Sequence, residues 1–237
     1  MVNIAVIPAR SGSKGLQDKN IMPFLGKPLM THTIDAALES DLFDRVLVST
    51  DSEEYARIAR ESGAFIPSLR SPGLSGDETG SWDVVREAVS WVEHDESQGI
   101  IDTVCLLQPT SPARTAQDIV NAYALYADKA AQCIVSVCEE DHPIEWSRHL
   151  GADGEMTAFA NPESMMRRQD LPPSCRVNGA IYILARDRLD ETENLYASNC
   201  YGYRMPKERS IDIDDIYDFV AAEAICLRLR SQCSWEG

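Results

Sequence analysis

Hydrophobic and polar positions along this chain switch between two periods. The run Ile4-Ala5-Val6-Ile7 is apolar throughout, β-branched at three of its four positions and stopped by Pro8, which predicts a buried strand. Pro28 stands near the first position of a helix in which Met30, Ile34, Ala37 and Leu38 recur at i, i+4, i+7 and i+8. Arg45 to Thr50 reads as a second strand, and Ser52 as the cap of a helix reaching about Glu61. Ala64-Phe65-Ile66 reads as a third, short strand. A helix from about Gly80 to His94, a strand from Thr103 to Gln108, a helix from Ala116 to Ala127 and a strand from Cys133 to Val137 follow. Such alternation predicts an α/β fold with a parallel sheet and right-handed crossovers.

The alternation lapses after residue 140. Residues 141–177 mix Pro, Gly and polar residues with short apolar pieces such as Thr157-Ala158-Phe159, and read as an arm inserted into a single domain spanning 1–237. Asn178 to Leu184 and Ser198 to Met205 are strand-like again, and Ile216, Phe219, Val220, Ala224 and Leu227 mark one face of a C-terminal helix. Residues 67–80, rich in Pro, Ser, Gly and Asp, form a loop long enough to suggest function.

Composition narrows the classes. The 237 residues are 44% hydrophobic and 25% charged, with a net charge of −16, which argues against nucleic acid or an anionic membrane as partner. No run approaches the roughly 18 apolar residues of a membrane helix, so a cytoplasmic protein is expected. The seven cysteines form no C-x-x-C pair and suggest buried thiols in a reducing compartment, and the four histidines do not cluster with them as a zinc site would require.

Against that acidic background, three cations gather on one loop after the first strand: Arg10, Lys14 and Lys19. Gly12 and Gly15 allow its backbone N–H groups to converge on an anion, and the cations can add charge-assisted bonds to phosphate. A solvated basic turn is the alternative. Neither G-x-x-x-x-G-K-[ST] nor G-x-G-x-x-G is present. Ligands of open parallel sheets sit at the carboxyl ends of strands, which would bring this loop, Ser49-Thr50-Asp51, Gln108-Pro109-Thr110-Ser111 and the 67–80 loop around one crevice. The Gln108 amide suits a base edge or a sugar hydroxyl, or else caps its own strand. Asp212 and Asp214 share one face if their segment is extended, and two hard carboxylates suit Mg²⁺; an acidic helix cap is the other reading. Arg167-Arg168-Gln169-Asp170 in the arm is either a guanidinium grip for an anion or a charged turn.

Taken in order, I-P-A-R-S-G-S-K-G with K-N, V-S-T-D, L-L-Q-P-T-S-P, R-Q-x-L-P, N-G-A-I-Y-I and S-I-D-I-D run from residue 7 to residue 214. The set resembles the acylneuraminate cytidylyltransferases, which activate sialic acids as their cytidine monophosphate derivatives. The resemblance implies a doubly wound, mostly parallel, Rossmann-like nucleotidyltransferase fold with a small dimerisation arm, and a homodimer. It implies that Arg10, Ser13, Lys14, Lys19 and Asn20 hold the triphosphate of CTP, and that Arg70 and Ser81 recognise cytidine and ribose. Gln108, Asn178 and Tyr182 would line the sugar pocket, with Arg168 and Gln169 reaching it from the arm, and Asp212 and Asp214 would bind Mg²⁺. Ala113 replaces a leucine common in the family, and Tyr201-Gly202-Tyr203 stands near where some members place phenylalanines that contact the sugar. These departures leave the sugar open among sialic, legionaminic, pseudaminic and deoxy-octulosonic acids. A metal-dependent glycosyltransferase, for which Asp212-Ile213-Asp214 would be a D-x-D motif, and a silent nucleotide-binding module are the rivals of other classes.

Overall fold

The computed structural model describes residues 2–12, 15–76, 79–94, 99–147, 149–156, 166–191 and 198–233. The chain begins with β1 (Val2–Pro8), then a small hairpin of β2 (Pro23–Phe24) and β3 (Lys27–Pro28), and helix α1 (Leu29–Glu39). Strand β4 (Arg45–Ser49) leads to α2 (Glu53–Glu61), whose cap Ser52 accepts a hydrogen bond from the Tyr55 N–H. Helix α3 (Ser81–Glu93), β5 (Ile101–Leu106), α4 (Ala116–Asp128) and β6 (Cys133–Glu139) follow in alternation. The chain then runs through β7 (Cys175–Ala185) and β8 (Cys200–Arg204) to α5 (Ile216–Cys233).

Six of these strands form one sheet in the order β4-β1-β5-β7-β6-β8. β1 is parallel to both β4 and β5, and β6 is parallel to β8, but β7 is antiparallel to β5 and β6. The irregular stretch after residue 140 explains the reversal. It leaves β6 at the carboxyl edge of the sheet, so β7 starts at that edge and runs back. Its first residues therefore lie beside the loops where ligands bind in such sheets.

Successive residues of β1 feed opposite faces, as the period of two requires. Ala5 and Ile7 pack with α1, α2 and α4 through Met30, Ile34, Tyr55, Ala59, Ile119 and Ala122. Ile4 and Val6 pack with α3 through Val85, Ala88, Val89 and Val92. With helices on both faces the sheet is buried on each side, and every completely buried Ile or Leu stabilises it by roughly 2 kcal/mol. A third cluster joins Phe24, Leu29 and Ile213 to Phe219, Ala222 and Cys226 of α5.

Two expectations are corrected. Residues 64–66 form no strand; Phe65 makes a single parallel bridge to Leu47 at the sheet's edge, too short to extend it. In α5 the packed face is Phe219, Ala222 and Cys226, whereas Ile216, Val220, Ala224 and Leu227 are exposed. That helix is apolar on two sides, so periodicity alone could not choose between them. Between β6 and β7 the described residues hold short 3₁₀ turns at Ile144–Trp146 and Arg168–Asp170 and a lone bridge from Leu150 to Met156. Thr157-Ala158-Phe159 lies outside the described residues. No helix among the described residues is long and apolar enough to cross a membrane.

Candidate active site

A cleft of about 470 Å³ opens at the carboxyl edge of β1 and β5. Arg10, Gly15, Lys19 and Asn20 come to it from the loop after β1, Arg70 and Thr79 from the loop before α3, and Ser81 from the first turn of α3. Gln108 and Thr110 arrive from beyond β5, and Asp212 and Asp214 from the segment before α5. Eight residues singled out in the sequence thus share one cavity: Arg10, Lys19, Asn20, Arg70, Ser81, Gln108, Asp212 and Asp214. Ser13 and Lys14 lie outside the described residues.

Each wall has its own fixings. The Ser11 N–H and hydroxyl both donate to Asp51, at 2.8 and 3.2 Å, which moors the first loop to the end of β4. Asn20 is buried and its Nδ2 donates to the Arg10 carbonyl at 3.2 Å. Arg70 is 5% exposed; its Nε donates to Ser49 Oγ at 3.0 Å and its Nη2 to the Ser49 carbonyl at 2.6 Å. Burial lowers the Arg70 pKa, with the neighbouring Arg10 acting in the same direction and Asp51 and Glu87 opposing. The first turn of α3 adds the positive end of a 13-residue helix. Three cations and a helix start therefore face one space, a set that suits a polyphosphate.

The acid pair adjoins Lys19. Ile213, between the two aspartates, donates its N–H to the Thr110 carbonyl at 2.9 Å and accepts from Lys19 Nζ at 2.5 Å. Lys19 Nζ also lies 3.6 Å from Asp214 Oδ1. The Asp214 side chain is 82% exposed, so its carboxylate is open for ligation, whereas that of Lys19 is 12% exposed. Partial burial raises the Asp212 pKa most, and Asp214 and Asp218 add to the rise, while a hydrogen bond with Thr110 and the charge of Lys19 oppose it. The pair also borders a second cleft on its far side, lined by Arg176, Lys207 and Ser210 among others. Among the described residues no group of three or more His, Cys, Asp and Glu gathers as a metal site.

Glycine matters here by proximity. A Cβ on Gly15 would lie 2.5 Å from the Asp214 carbonyl oxygen, so only glycine lets the phosphate-side loop touch the acidic segment. Neither Gly12 nor Gly15 has positive φ. That conformation belongs to Gly179, at φ 77°, beside Asp212.

The remaining sequence candidates lie elsewhere. Asn178 is 2% exposed and does not line the cleft. One residue of β6, Ser136, faces the bulged residues 178–181 of β7. There Asn178 Oδ1 accepts from Ser136 Oγ at 2.5 Å and Nδ2 donates to Ser210 Oγ at 2.8 Å. Tyr182 packs edge-on against Trp82, with ring centroids 6.0 Å apart. Arg168 and Gln169 border a separate hollow with Leu171 and Pro172, and Arg168 Nη2 lies 3.5 Å from Glu139 Oε1.

Sequence reasoning missed Arg114, which is 3% exposed and donates from Nη1 to the Gln108 and Ala180 carbonyls at 3.2 and 2.7 Å. Burial pushes its pKa down to about 10. It also missed the Arg209–Asp118 pair. Only an arginine inside an otherwise apolar or small-residue stretch hinted at the first; sequence distance hid the second.

Comparison with known proteins agrees in fold and motif. A sequence profile described as cytidylyltransferase matches residues 4–204. An N-acylneuraminate cytidylyltransferase of Streptococcus agalactiae serotype V is 39% identical over 93% of this chain and 52% of its own length. A pseudaminic acid cytidylyltransferase of Campylobacter jejuni is 31% identical over 95% of this chain and 96% of its own. The chain spans about half the length of the N-acylneuraminate relatives from Streptococcus agalactiae and Escherichia coli. Among solved structures, CMP:2-keto-3-deoxy-manno-octonic acid synthetase complexed with CTP superimposes with a TM-score of 0.71 at 17% identity, covering 96% of this chain and 99% of that one. That likeness is one of fold.

Proposed function

The chain belongs to the cytidylyltransferase family, and from that premise we propose that it transfers the cytidylyl group of CTP to a nine-carbon α-keto acid sugar. The favoured acceptor is N-acetylneuraminate or a close analogue. Its anomeric oxygen forms a bond to the α-phosphorus while the bond from that phosphorus to pyrophosphate breaks. One observation carries the reading: the cations Arg10, Lys19 and Arg70 and the carboxylates of Asp212 and Asp214 line a single cleft. The relatives support CTP as the nucleotide, and the 39% identical ones favour a sialic acid.

In this reading Arg10 and Lys19 hold the triphosphate and stabilise charge on the departing pyrophosphate. Ser13, Lys14 and Asn20 complete that grip. Arg70 and Ser81 orient cytidine and ribose, and Gln108 offers its amide to the sugar. Tyr182, Arg168 and Gln169 are assigned to the sugar side, with the arm bringing the latter two. Asp212 and Asp214 are the Mg²⁺ ligands. They fit that ion chemically: both are hard carboxylates two residues apart, and the charge of Asp214 that raises the Asp212 pKa is repulsion a divalent cation relieves. Bound there, Mg²⁺ supplies charge neutralisation at the phosphates and favours ionisation of the sugar hydroxyl.

The arm at 141–177 is read as the dimer contact, supported by exposed Ile144, Leu150 and Val177. Free thiols among the described cysteines fit a reducing, cytoplasmic setting. The same reaction on pseudaminic or legionaminic acid is the second reading, favoured by relatives with those names at 31% and 34% identity. The glycosyltransferase reading gains no support from the matches given above.

The test is pyrophosphate release with Mg²⁺, comparing CTP with UTP, ATP and GTP over sialic, legionaminic, pseudaminic and deoxy-octulosonic acids. CTP-specific release with one nine-carbon acid is expected. Equal release from all four nucleotides, or none from any pair, contradicts the proposal.

A further inference from the structure

The acid pair belongs to no strand. Residues 210–214 follow a 3₁₀ turn at Lys207–Arg209 and precede α5, so the ladder of the sheet does not hold them. What holds them is a short set of cross-links. Ile213 N–H reaches the Thr110 carbonyl, and Ser210 Oγ accepts from Asn178. At the upstream end, Arg209 Nε and Nη2 each donate to a different oxygen of Asp118, both at 2.9 Å.

Asp118 is an unusual anchor. Its side chain is 1% exposed and already takes part in the capping box that starts α4, accepting from the Thr115 N–H at 3.0 Å and hydroxyl at 2.8 Å. Tyr203 Oη donates to it as well, at 3.1 Å. An aspartate that only capped a helix would need none of this. Since α4 directly follows the loop carrying Gln108 and Thr110, the ion pair and the 110–213 hydrogen bond join the same two segments at two points. The ion pair thus adds a second tie between these two segments, beside those that Lys19, Asn178 and the buried Ile213 side chain make to other parts of the chain.

We propose that the Asp118–Arg209 ion pair is a positioning pair for the reaction, setting the carboxylates of Asp212 and Asp214 against the loop of Gln108 and Thr110. The inference rests on the reading of Asp212 and Asp214 as the ion-binding pair. A bidentate guanidinium fixes angle as well as distance, which an ammonium cannot do, so the pair's geometry and not merely its charge is at stake. Outer partners of metal ligands act in this way elsewhere, with losses of about 10–100-fold in affinity or activity when they are replaced.

The decisive variant is Arg209→Lys, which keeps a cation beside the buried carboxylate. Thr115→Val is the companion, removing the hydroxyl's hydrogen bond to Asp118 while leaving Arg209 in place. Four quantities are measured on the full chain: thermal midpoint, binding of Mn²⁺ alone by electron paramagnetic resonance, kcat, and KM for CTP. Asp214→Ala identifies the Mn²⁺ site. The expected result is that Arg209→Lys weakens that site and lowers kcat by about 10-fold or more, with KM for CTP changed less than about twofold. Thr115→Val, which also removes the cap of α4, should lower the midpoint yet leave both readings near wild type. An Arg209→Lys protein with wild-type Mn²⁺ affinity and kcat overturns the inference alone, as does a Thr115→Val protein with the same losses. If no Mn²⁺ site is sensitive to Asp214→Ala, the reading of the acid pair itself falls and the inference with it.

Discussion

At the scale of the residue, function here depends on how closely backbones can approach. Gly15 brings the phosphate-side loop against the Asp214 carbonyl, and no rotamer can relieve a Cβ placed 2.5 Å from a backbone oxygen. Gly15→Ala should therefore separate Lys19 from Ile213 and Asp214 while leaving the core alone. The expected effect is a loss in kcat/KM on the order of 100-fold, the scale of an ångström-level misplacement, with a thermal midpoint within a few degrees of wild type. Steady-state kinetics and a melting curve decide it; unchanged kinetics would show that the contact has no role. Much at this scale was legible in the chain: the cations of the loop after β1, the Gln108 amide just past β5 and the paired aspartates before α5 stand out in the sequence, and Arg10, Lys19, Gln108, Asp212 and Asp214 line one cleft. Asn178 was not. Its motif points to the sugar, but the bulge in β7 turns its amide inward to Ser136 and Ser210, and bulges leave little trace in a sequence.

At the scale of the element, the strands and helices of the first 140 residues could be read almost directly. Their apolar periods are strong and their caps are standard chemistry, Ser52 for α2 and Thr115 for α4. The antiparallel sense of β7 could not be read, because it follows from where the arm leaves the chain and not from any period. The start of α4 carries a prediction of its own. Arg209 and Thr115 hold the Asp118 carboxyl below its ordinary pKa, outweighing the burial that pushes the other way. A carboxylate depressed in the folded state contributes stability that is fully present above its unfolded pKa, near 3.9, and lost as pH falls through the folded value. Asp118→Asn should thus cost about 3 kcal/mol at pH 7. The difference between variant and wild type should shrink steadily below about pH 4. Urea unfolding at a series of pH values measures it, and a gap independent of pH would remove the ion pair from the account.

At the scale of the whole molecule, the charge distribution organises function. A chain of net charge −16 gathers Arg10, Lys19 and Arg70 in one cleft, so its field repels polyanions broadly and admits a small one locally. The arm is the other large-scale feature. Light scattering should give about twice the chain mass of 26.3 kDa, and Leu150→Glu should shift the population toward that mass itself. A wild-type protein that scatters as a monomer at every concentration would leave the arm without its proposed use. Cytidylyl transfer is the proposed reaction of the cleft that the cations and the acid pair line. Phosphorus NMR of the protein with CTP, Mg²⁺ and N-acetylneuraminate tests it most directly, with the other keto acids substituted in turn. A phosphodiester signal and pyrophosphate should grow together in equal amounts, and Asp214→Ala should abolish both. Inorganic phosphate or free CMP without the phosphodiester, or equal turnover by Asp214→Ala, would contradict it.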